Sequence, residues 1–87
     1  MSKICCELNL FDLKQNVYIV DNKEVKFATA TTMDELPKVV STLCKERDIN
    51  EVVIIGNEAC GGAIADSILI YSNKNYAMNN IEIEVLR

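Results

Sequence analysis

The run "GNEACGG", residues 56–62, contains the residue types that could form a ligand site in this chain. An apolar stretch typical of a buried strand precedes it, and a stretch with helical periodicity follows it. A glycine-bearing turn at the start of a helix exposes backbone N–H groups and the positive end of the helix dipole, which suit an anion such as phosphate. The segment therefore predicts a site for a small anion or nucleotide, formed by Gly56, Asn57, Glu58, Cys60, Gly61 and Gly62.

The same residues also fit a purely structural role. The run matches neither the dinucleotide pattern GxGxxG nor the phosphate loop GxxxxGK[ST], because it lacks the lysine that the second pattern requires. Glu58 would repel an anion. In this alternative Gly56 permits a tight turn, and Gly61 and Gly62 let the helix approach the sheet.

Catalysis that depends on histidine is excluded by composition. The chain has no histidine, so it can form no Cys-His dyad and no Ser-His-Asp triad. A thiol at a helix N-terminus can be reactive, but Cys60 has no histidine to serve as its base. The four cysteines show no CxxC spacing, so we expect no metal site, no cofactor and reduced thiols that act as small apolar residues.

Three strands are predicted in the N-terminal third. Residues 4–13 alternate, with Ile4, Cys6, Leu8 and Leu10 on one face. Residues 17–20 and 24–30 predict the second and third strands, with Val25 and Phe27 on the same face of the third. The residues between them, 21–23, tolerate the positive φ of a tight hairpin turn.

Two helices and two further strands follow. The stripe of Leu36, Val39, Val40, Leu43 and Cys44 predicts the first helix, with Pro37 in its first turn and a capping box formed by Thr32 and Glu35. Residues 60–72 predict the second helix, whose buried stripe is Ala65, Ile68, Leu69 and Ser72.

The last two strands differ in their patterns. Residues 52–55 are continuously β-branched, which is typical of a parallel strand buried on both faces. Residues 81–86 alternate, with Glu82 and Glu84 directed outward, and this predicts an edge strand with one wet face.

The predicted order β-β-β-α-β-α-β describes a single α/β (α+β) domain over residues 1–87. A meander followed by two right-handed crossovers gives a five-stranded mixed sheet in the order 3-2-1-4-5, with both helices on one face. This topology resembles the minimal ribonuclease-H-like core, which also occurs in small ribosomal-protein domains. The resemblance implies metal-dependent nuclease activity as one further interpretation, which would need carboxylates such as Glu7, Glu58 and Asp66 to converge.

The face of the sheet opposite the helices has no predicted cover. We expect it to present an apolar interface composed of Cys5, Glu7, Asn9, Phe11, Val53, Ile55 and Leu86, although Val52 and Ile54 could take the place of the residues from the fourth strand. The main prediction is therefore a protein-binding module, either a homodimer or a domain docked on a protein partner as an inhibitor or adaptor. Alternatively, a terminus or residues 74–80 could fold over this face.

Composition sets limits on the partners and the location. The net charge is −4 and the basic residues form no cluster, so we expect no nucleic-acid partner. No apolar run is long enough to span a membrane, and we expect no membrane partner and a cytoplasmic protein. The abundance of Asn, Ile and Lys is typical of AT-rich coding sequences and indicates a bacterial or phage origin.

Overall fold

The computed structural model describes residues 1–56 and 58–86. Its elements are β1 (Ser2–Glu7), β2 (Lys14–Asp21), β3 (Glu24–Thr32), α1 (Leu36–Arg47), β4 (Glu51–Ile55), α2 (Glu58–Tyr76) and β5 (Glu82–Leu86). All five strands form one sheet in the order β3-β2-β1-β4-β5, which confirms the predicted order. β1, β2 and β3 pair antiparallel, whereas β4 runs parallel to both β1 and β5.

Both helices pack on the same face of the sheet, as predicted. One core cluster contains Val40 of α1 and Ile68 of α2 together with Ile4 of β1 and Val52 of β4. The Ser41 hydroxyl of α1 donates a hydrogen bond of 3.4 Å to the Ile68 carbonyl of α2, so the two helices also contact each other. The opposite face, which we call the open face, is therefore covered by neither helix of the described chain.

The first strand is shorter than predicted. β1 ends at Glu7, and residues 8–13 form a loop in which the Asp12 N–H donates to the Asn9 carbonyl over 3.0 Å. Leu10 lies beyond the strand and is 56% exposed, so its predicted place on the same strand face as Ile4, Cys6 and Leu8 is wrong. The strand ends although the alternation of apolar residues continues, because Asn9 and Asp12 favour a turn.

The β2–β3 hairpin turns where predicted, because Asn22 and Lys23 both have positive φ, 51° and 66°. A register shift lies opposite Ile19 and Val20. Val25 pairs with Val20 while Phe27 pairs with Ile19, so Val25 and Phe27 lie on opposite faces and not on the same face as predicted.

The helix boundaries differ from the predictions in two respects. α1 begins at Leu36 with Pro37 in its first turn, but Thr32 ends β3 and the Glu35 side chain makes no capping hydrogen bond, so the predicted capping box is absent. α2 is longer than predicted at both ends. Leu69 of α2 is 39% exposed, because the buried stripe of this helix consists of Gly61, Ala65, Ile68 and Ser72.

The last strands agree with their patterns. Val52, Val53 and Ile54 are all buried, as expected for a parallel strand with both faces shielded. β5 occupies the predicted edge, with Glu82 and Glu84 exposed. Residues 74–76 continue α2 and Met78 packs against the helix-side core, so residues 74–80 do not cover the open face. Neither described helix combines the length and the apolar character of a membrane span.

Candidate functional site

The open face is defined by the register of the strands. Its central side chains are Cys5 of β1 and Val53 of β4, which are paired across the two strands. Both are 8% exposed although no helix covers them, since the side chains around them shelter them. The surrounding side chains of the open face are Lys3, Glu7, Asn16, Tyr18, Val20, Val25, Ala28, Ala30, Ile55, Glu82, Glu84 and Leu86.

A hydrogen bond joins β1 and β2 on this face. The Tyr18 hydroxyl donates to Glu7 Oε1 over 2.7 Å. This bond and the carboxylate charge raise the pKa of Tyr18 to about 12, because a phenolate would lose the bond and repel Glu7. Burial raises the pKa of the neighbouring Cys5 thiol. Tyr18 and Cys5 are therefore protonated at neutral pH.

Acidic side chains border the half of the open face that β4 and β5 form. Glu51, Glu82 and Glu84 line a shallow depression of about 410 Å³ together with Val53, and Lys3 stands on its other side. The β2–β3 half carries Val20, Ala28 and Ala30 instead. The open face thus combines an apolar half with an acidic half.

An apolar loop, residues 9–13, projects from the end of the sheet at which β1, β4 and β5 terminate. Phe11 is 99% exposed, Leu13 is 91% exposed and Leu10 is 56% exposed. Large apolar side chains occur singly on many surfaces, but three of them within four consecutive residues form a contiguous apolar projection. This loop is the most exposed apolar feature among the described residues.

The backbone of the apolar loop is held by one buried side chain. Gln15 is 2% exposed, and its Oε1 accepts the Asn9 N–H over 2.5 Å while its Nε2 donates to the carbonyls of Asn9 and Asp12 over 3.0 and 3.1 Å. The Phe11 N–H also donates to Asn9 Oδ1 over 3.0 Å, which forms an Asx turn. The loop is thus a fixed structure that presents apolar side chains to water.

The apolar loop and the open face are continuous. A depression of about 280 Å³ is lined by Asn9 and Asp12 of the loop and by Glu7, Asn16 and Ile55 of the open face. Leu86, 41% exposed, pairs with Ile55 at the same end of the sheet. The end of the sheet therefore carries one surface that has both apolar and acidic parts.

The predicted interface residues divide between these two features. Cys5, Glu7, Val53, Ile55 and Leu86 lie on the open face, while Val52 and Ile54 belong to the core. Asn9 and Phe11, predicted on the face of the first strand, lie in the apolar loop.

Leu13 belongs to this surface and the buried Gln15 supports it, but neither residue was predicted there. One sequence signal was available: residues 9–13 contain Asn9 and Asp12 but no β-branched residue, a composition that favours a turn over a strand.

Two of the predicted ligand residues have structural roles. Gly56 has φ of 117°, and a Cβ at this position would collide with the Leu8 carbonyl oxygen. A Cβ on Gly61 would lie 2.6 Å from Cγ1 of Val85, so this glycine lets α2 approach β5. These observations agree with the structural alternative for Gly56 and Gly61.

The remaining predicted ligand residues are Gly62, Cys60, Asn57 and Glu58, and the structure describes only part of this set. Gly62 has nothing within 4 Å of its ideal Cβ position, so helix packing does not require it. Cys60 packs partly buried against the core cluster. Asn57 and the side chain of Glu58 lie outside the part of the chain that the structure describes. The depression beside Gly56 has none of Cys60, Gly61 and Gly62 among its described lining residues.

Two of the three carboxylates considered for a nuclease, those of Glu7 and Asp66, lie in different layers. Glu7 is on the open face and is bonded to Tyr18, whereas Asp66 is on the exposed side of α2 in the helical layer. Among the described residues, no three His, Cys, Asp or Glu side chains lie together in a way that could hold a metal ion. Burial raises the pKa of Cys6 to about 12 and that of Cys44 to about 11, so both are neutral thiols within the core.

No protein-family model matches the chain, and no curated protein matches it in sequence. Its structure is similar to that of a protein from Bacteroides thetaiotaomicron VPI-5482 described as having an actin-like ATPase fold and unknown function. The TM-score is 0.65 at 9% identity, and the match covers 98% of this chain but 32% of that one. At this identity the likeness concerns the fold alone. It supports the ribonuclease-H-like class of the five-stranded α/β arrangement, to which the actin-like ATPase fold belongs.

Proposed function

We propose that this chain is a non-catalytic interaction module that binds a protein partner through the apolar loop and the adjoining end of the open face. The observation that carries this proposal is the exposure of Phe11 and Leu13, 99% and 91%, on a loop whose backbone Gln15 holds in place. Aromatic anchors at the centre of an interface commonly supply most of its binding energy. A loop that is already ordered loses little conformational entropy on binding.

The charges around the apolar loop define the chemistry of the partner. Asp12 belongs to the loop, and Glu7 and Lys14 lie beside it. Farther along the open face, toward the starts of β4 and β5, stand Lys3 and the carboxylates of Glu51, Glu82 and Glu84. A complementary partner has an apolar pocket with a basic border. Anionic lipid surfaces are disfavoured by the same carboxylates, and so is a second copy of this face, because it would place carboxylates near carboxylates. A cytoplasmic inhibitor or adaptor would use a surface of this kind.

A matched pair of variants tests the proposal. Phe11→Ser with Leu13→Ser removes the anchors, whereas Ile70→Ser removes an apolar side chain that is 68% exposed on α2, in the helical layer. Burying one such side chain contributes about 1.5–3 kcal/mol, so losing two should weaken binding by roughly a hundredfold or more. The unmodified chain and the two variants are immobilised at equal density. The proteins that each of them retains from an extract of the native host are quantified, and each retained protein is then titrated individually.

The proposal requires a partner that the unmodified chain and the Ile70 variant retain equally and that the Phe11/Leu13 variant loses. Identical retention by all three proteins would contradict it. Sedimentation with vesicles of anionic phospholipid provides a second readout. Vesicle binding that depends on Phe11 and Leu13 would show that the apolar loop binds a membrane surface, and would contradict a protein partner.

The anion site at residues 56–62 stays a prediction, and so does nuclease activity. Close packing already accounts for glycine at positions Gly56 and Gly61, so the glycines by themselves do not indicate a ligand. The anion site has to be tested by measuring ligand binding. A ligand at about 100 times its dissociation constant adds roughly 2.7 kcal/mol to the free energy of unfolding. A thermal-shift series with inorganic phosphate, ATP and GTP measures this directly, and the absence of any shift would leave the segment with a structural role alone.

A further inference from the structure

The two edges of the sheet differ in how they are protected. β3 forms one edge and pairs with β2 alone among the described strands. An edge strand presents a row of unpaired backbone N–H and C=O groups to which another extended strand can pair. On β3 a register shift and a 2.7 Å ion pair between Lys26 and Glu24 occupy the first residues. The remainder, residues 27–32, is regular, uncharged and free of proline.

The other edge carries the charges that β3 lacks. On β5, Glu82 and Glu84 alternate with apolar residues and are both exposed. Antiparallel pairing of two β5 strands about Glu84 would place one Glu84 carboxylate opposite the other, and like charges directly opposite are destabilising. Charged side chains are a common way to block edge pairing, so β3 is the edge that remains open to a second strand.

A groove lies beside β3 on the helix side of the sheet. It has a volume of about 310 Å³, and its lining residues are Phe27 and Thr29 of β3 and Glu35, Lys38, Val39, Thr42 and Leu43 of α1. The Arg47 guanidinium stacks over the Phe27 ring at 4.7 Å and holds that ring at one end of α1. A strand added to β3 would direct alternate side chains into this groove, which is the geometry of strand addition beside a helix.

We propose that a second copy of this chain occupies the β3 edge and joins the two sheets into one continuous sheet. The strands pair antiparallel about Thr29, so that Phe27 faces Thr31 of the other copy on the helix side and Ala28 faces Ala30 on the open face. Aromatic side chains opposite β-branched ones are favourable cross-strand pairs, and this register places no two like charges opposite each other within residues 27–31.

This arrangement is symmetric and closed, as is usual for soluble homodimers. In this register Thr29 and Thr31 of the other copy lie beside Thr29 and Phe27, the two β3 residues that line the groove. The two-fold axis is perpendicular to the sheet, so the two apolar loops project from opposite ends of the dimer. The interface uses neither the apolar loop nor the acidic half of the open face, and it is therefore independent of the proposed partner surface.

Two double variants with opposite charge patterns test the inference. Ala28 and Ala30 are both exposed, so substitutions there leave the core intact. A28K/A30K places lysine opposite lysine twice across the dimer, whereas A28K/A30E places lysine opposite glutamate twice at the same positions. Sedimentation equilibrium over a concentration series gives the mass and the dissociation constant, and circular dichroism melting confirms that each variant is folded.

The expected result is a dimer for the unmodified chain, at least about tenfold weaker self-association for A28K/A30K, and retained self-association for A28K/A30E. The Phe11→Ser/Leu13→Ser variant should remain as dimeric as the unmodified chain, which separates this inference from the proposed function. A monomer at every concentration overturns the inference. So does a dimer that both charge variants leave unchanged, because it would use another surface.

Discussion

Replacing Gln15 with Met should both destabilise the fold and release the apolar loop. Methionine is close to glutamine in length but cannot form the three hydrogen bonds that join Gln15 to Asn9 and Asp12. Each such bond contributes a net free energy of about 1 kcal/mol, which gives a loss of roughly 3 kcal/mol. A domain of this size is stabilised by roughly 4–13 kcal/mol, so the loss is a large fraction of the total.

The measurement is urea denaturation followed by circular dichroism, combined with amide hydrogen exchange. A loss of about 3 kcal/mol lowers the Tm of a domain of this size by roughly 12–24 °C. The Asn9 N–H, which donates to Gln15 Oε1, should also exchange much faster in the variant. This amide distinguishes release of the loop from general destabilisation when exchange is compared under conditions in which both proteins stay folded.

The matched control is Asn16→Met, a substitution of the same kind at the next residue, which is exposed on the open face. We expect it to change the free energy of unfolding by about 0.5 kcal/mol or less. If Gln15→Met were as mild as this control and left exchange of the Asn9 amide unchanged, Gln15 would not be what orders the loop. The apolar loop would then not be preorganised by Gln15, and the proposed partner surface would lose its support.

Three further predictions concern the glycines and the core thiols. Gly56→Ala should cost about 1–3 kcal/mol, because φ of 117° strains an L-residue and the new Cβ meets the Leu8 carbonyl. Gly61→Ala should cost about 1–3 kcal/mol by overpacking against Val85, whereas Gly62→Ala on the exposed side of the same helix should stabilise the protein by about 0.5–1 kcal/mol. Because burial raises the pKa of Cys6 from 9.0 to about 12, the free energy of unfolding should fall by up to about 1.4 kcal/mol per pH unit above pH 9.

Urea titrations check all three. Above pH 9 the Cys6 thiol ionises in the unfolded chain but keeps its proton in the folded chain. Rising pH therefore favours the unfolded chain and lowers the free energy of unfolding. Cys6→Val, which cannot ionise, should remove this part of the slope, and equal slopes for both proteins would contradict the assignment. For the glycines, Gly61→Ala and Gly62→Ala should change the free energy of unfolding in opposite directions. Equal changes would show that the packing of α2 on β5 does not require glycine opposite Val85.

The order of elements and the order of strands follow from local patterns in the chain. Alternation with a period of two identifies β3 and β5, the apolar run of residues 17–20 identifies β2, and the stripe from Leu36 to Cys44 identifies α1. The right-handedness of crossovers is a general property of L-amino-acid chains, so it places both helices on one face without further information. The positive φ at Asn22 agrees with the turn predicted at residues 21–23, because Asn tolerates the left-handed region better than most residues, and Lys23 adopts it as the second residue of the same hairpin turn.

The end of β1 depends on what lies beside it. Residues 4–10 alternate without interruption, yet β4 ends at Ile55, and Gly56 turns the chain against the backbone of Leu8. Beyond Leu8 the first strand has no parallel neighbour to pair with, and the polar groups of Asn9 are met by the Gln15 side chain instead. Phe11 and Leu13 are exposed for this reason, because a strand extends only as far as its neighbours supply hydrogen-bond partners, and those neighbours come from distant parts of the sequence.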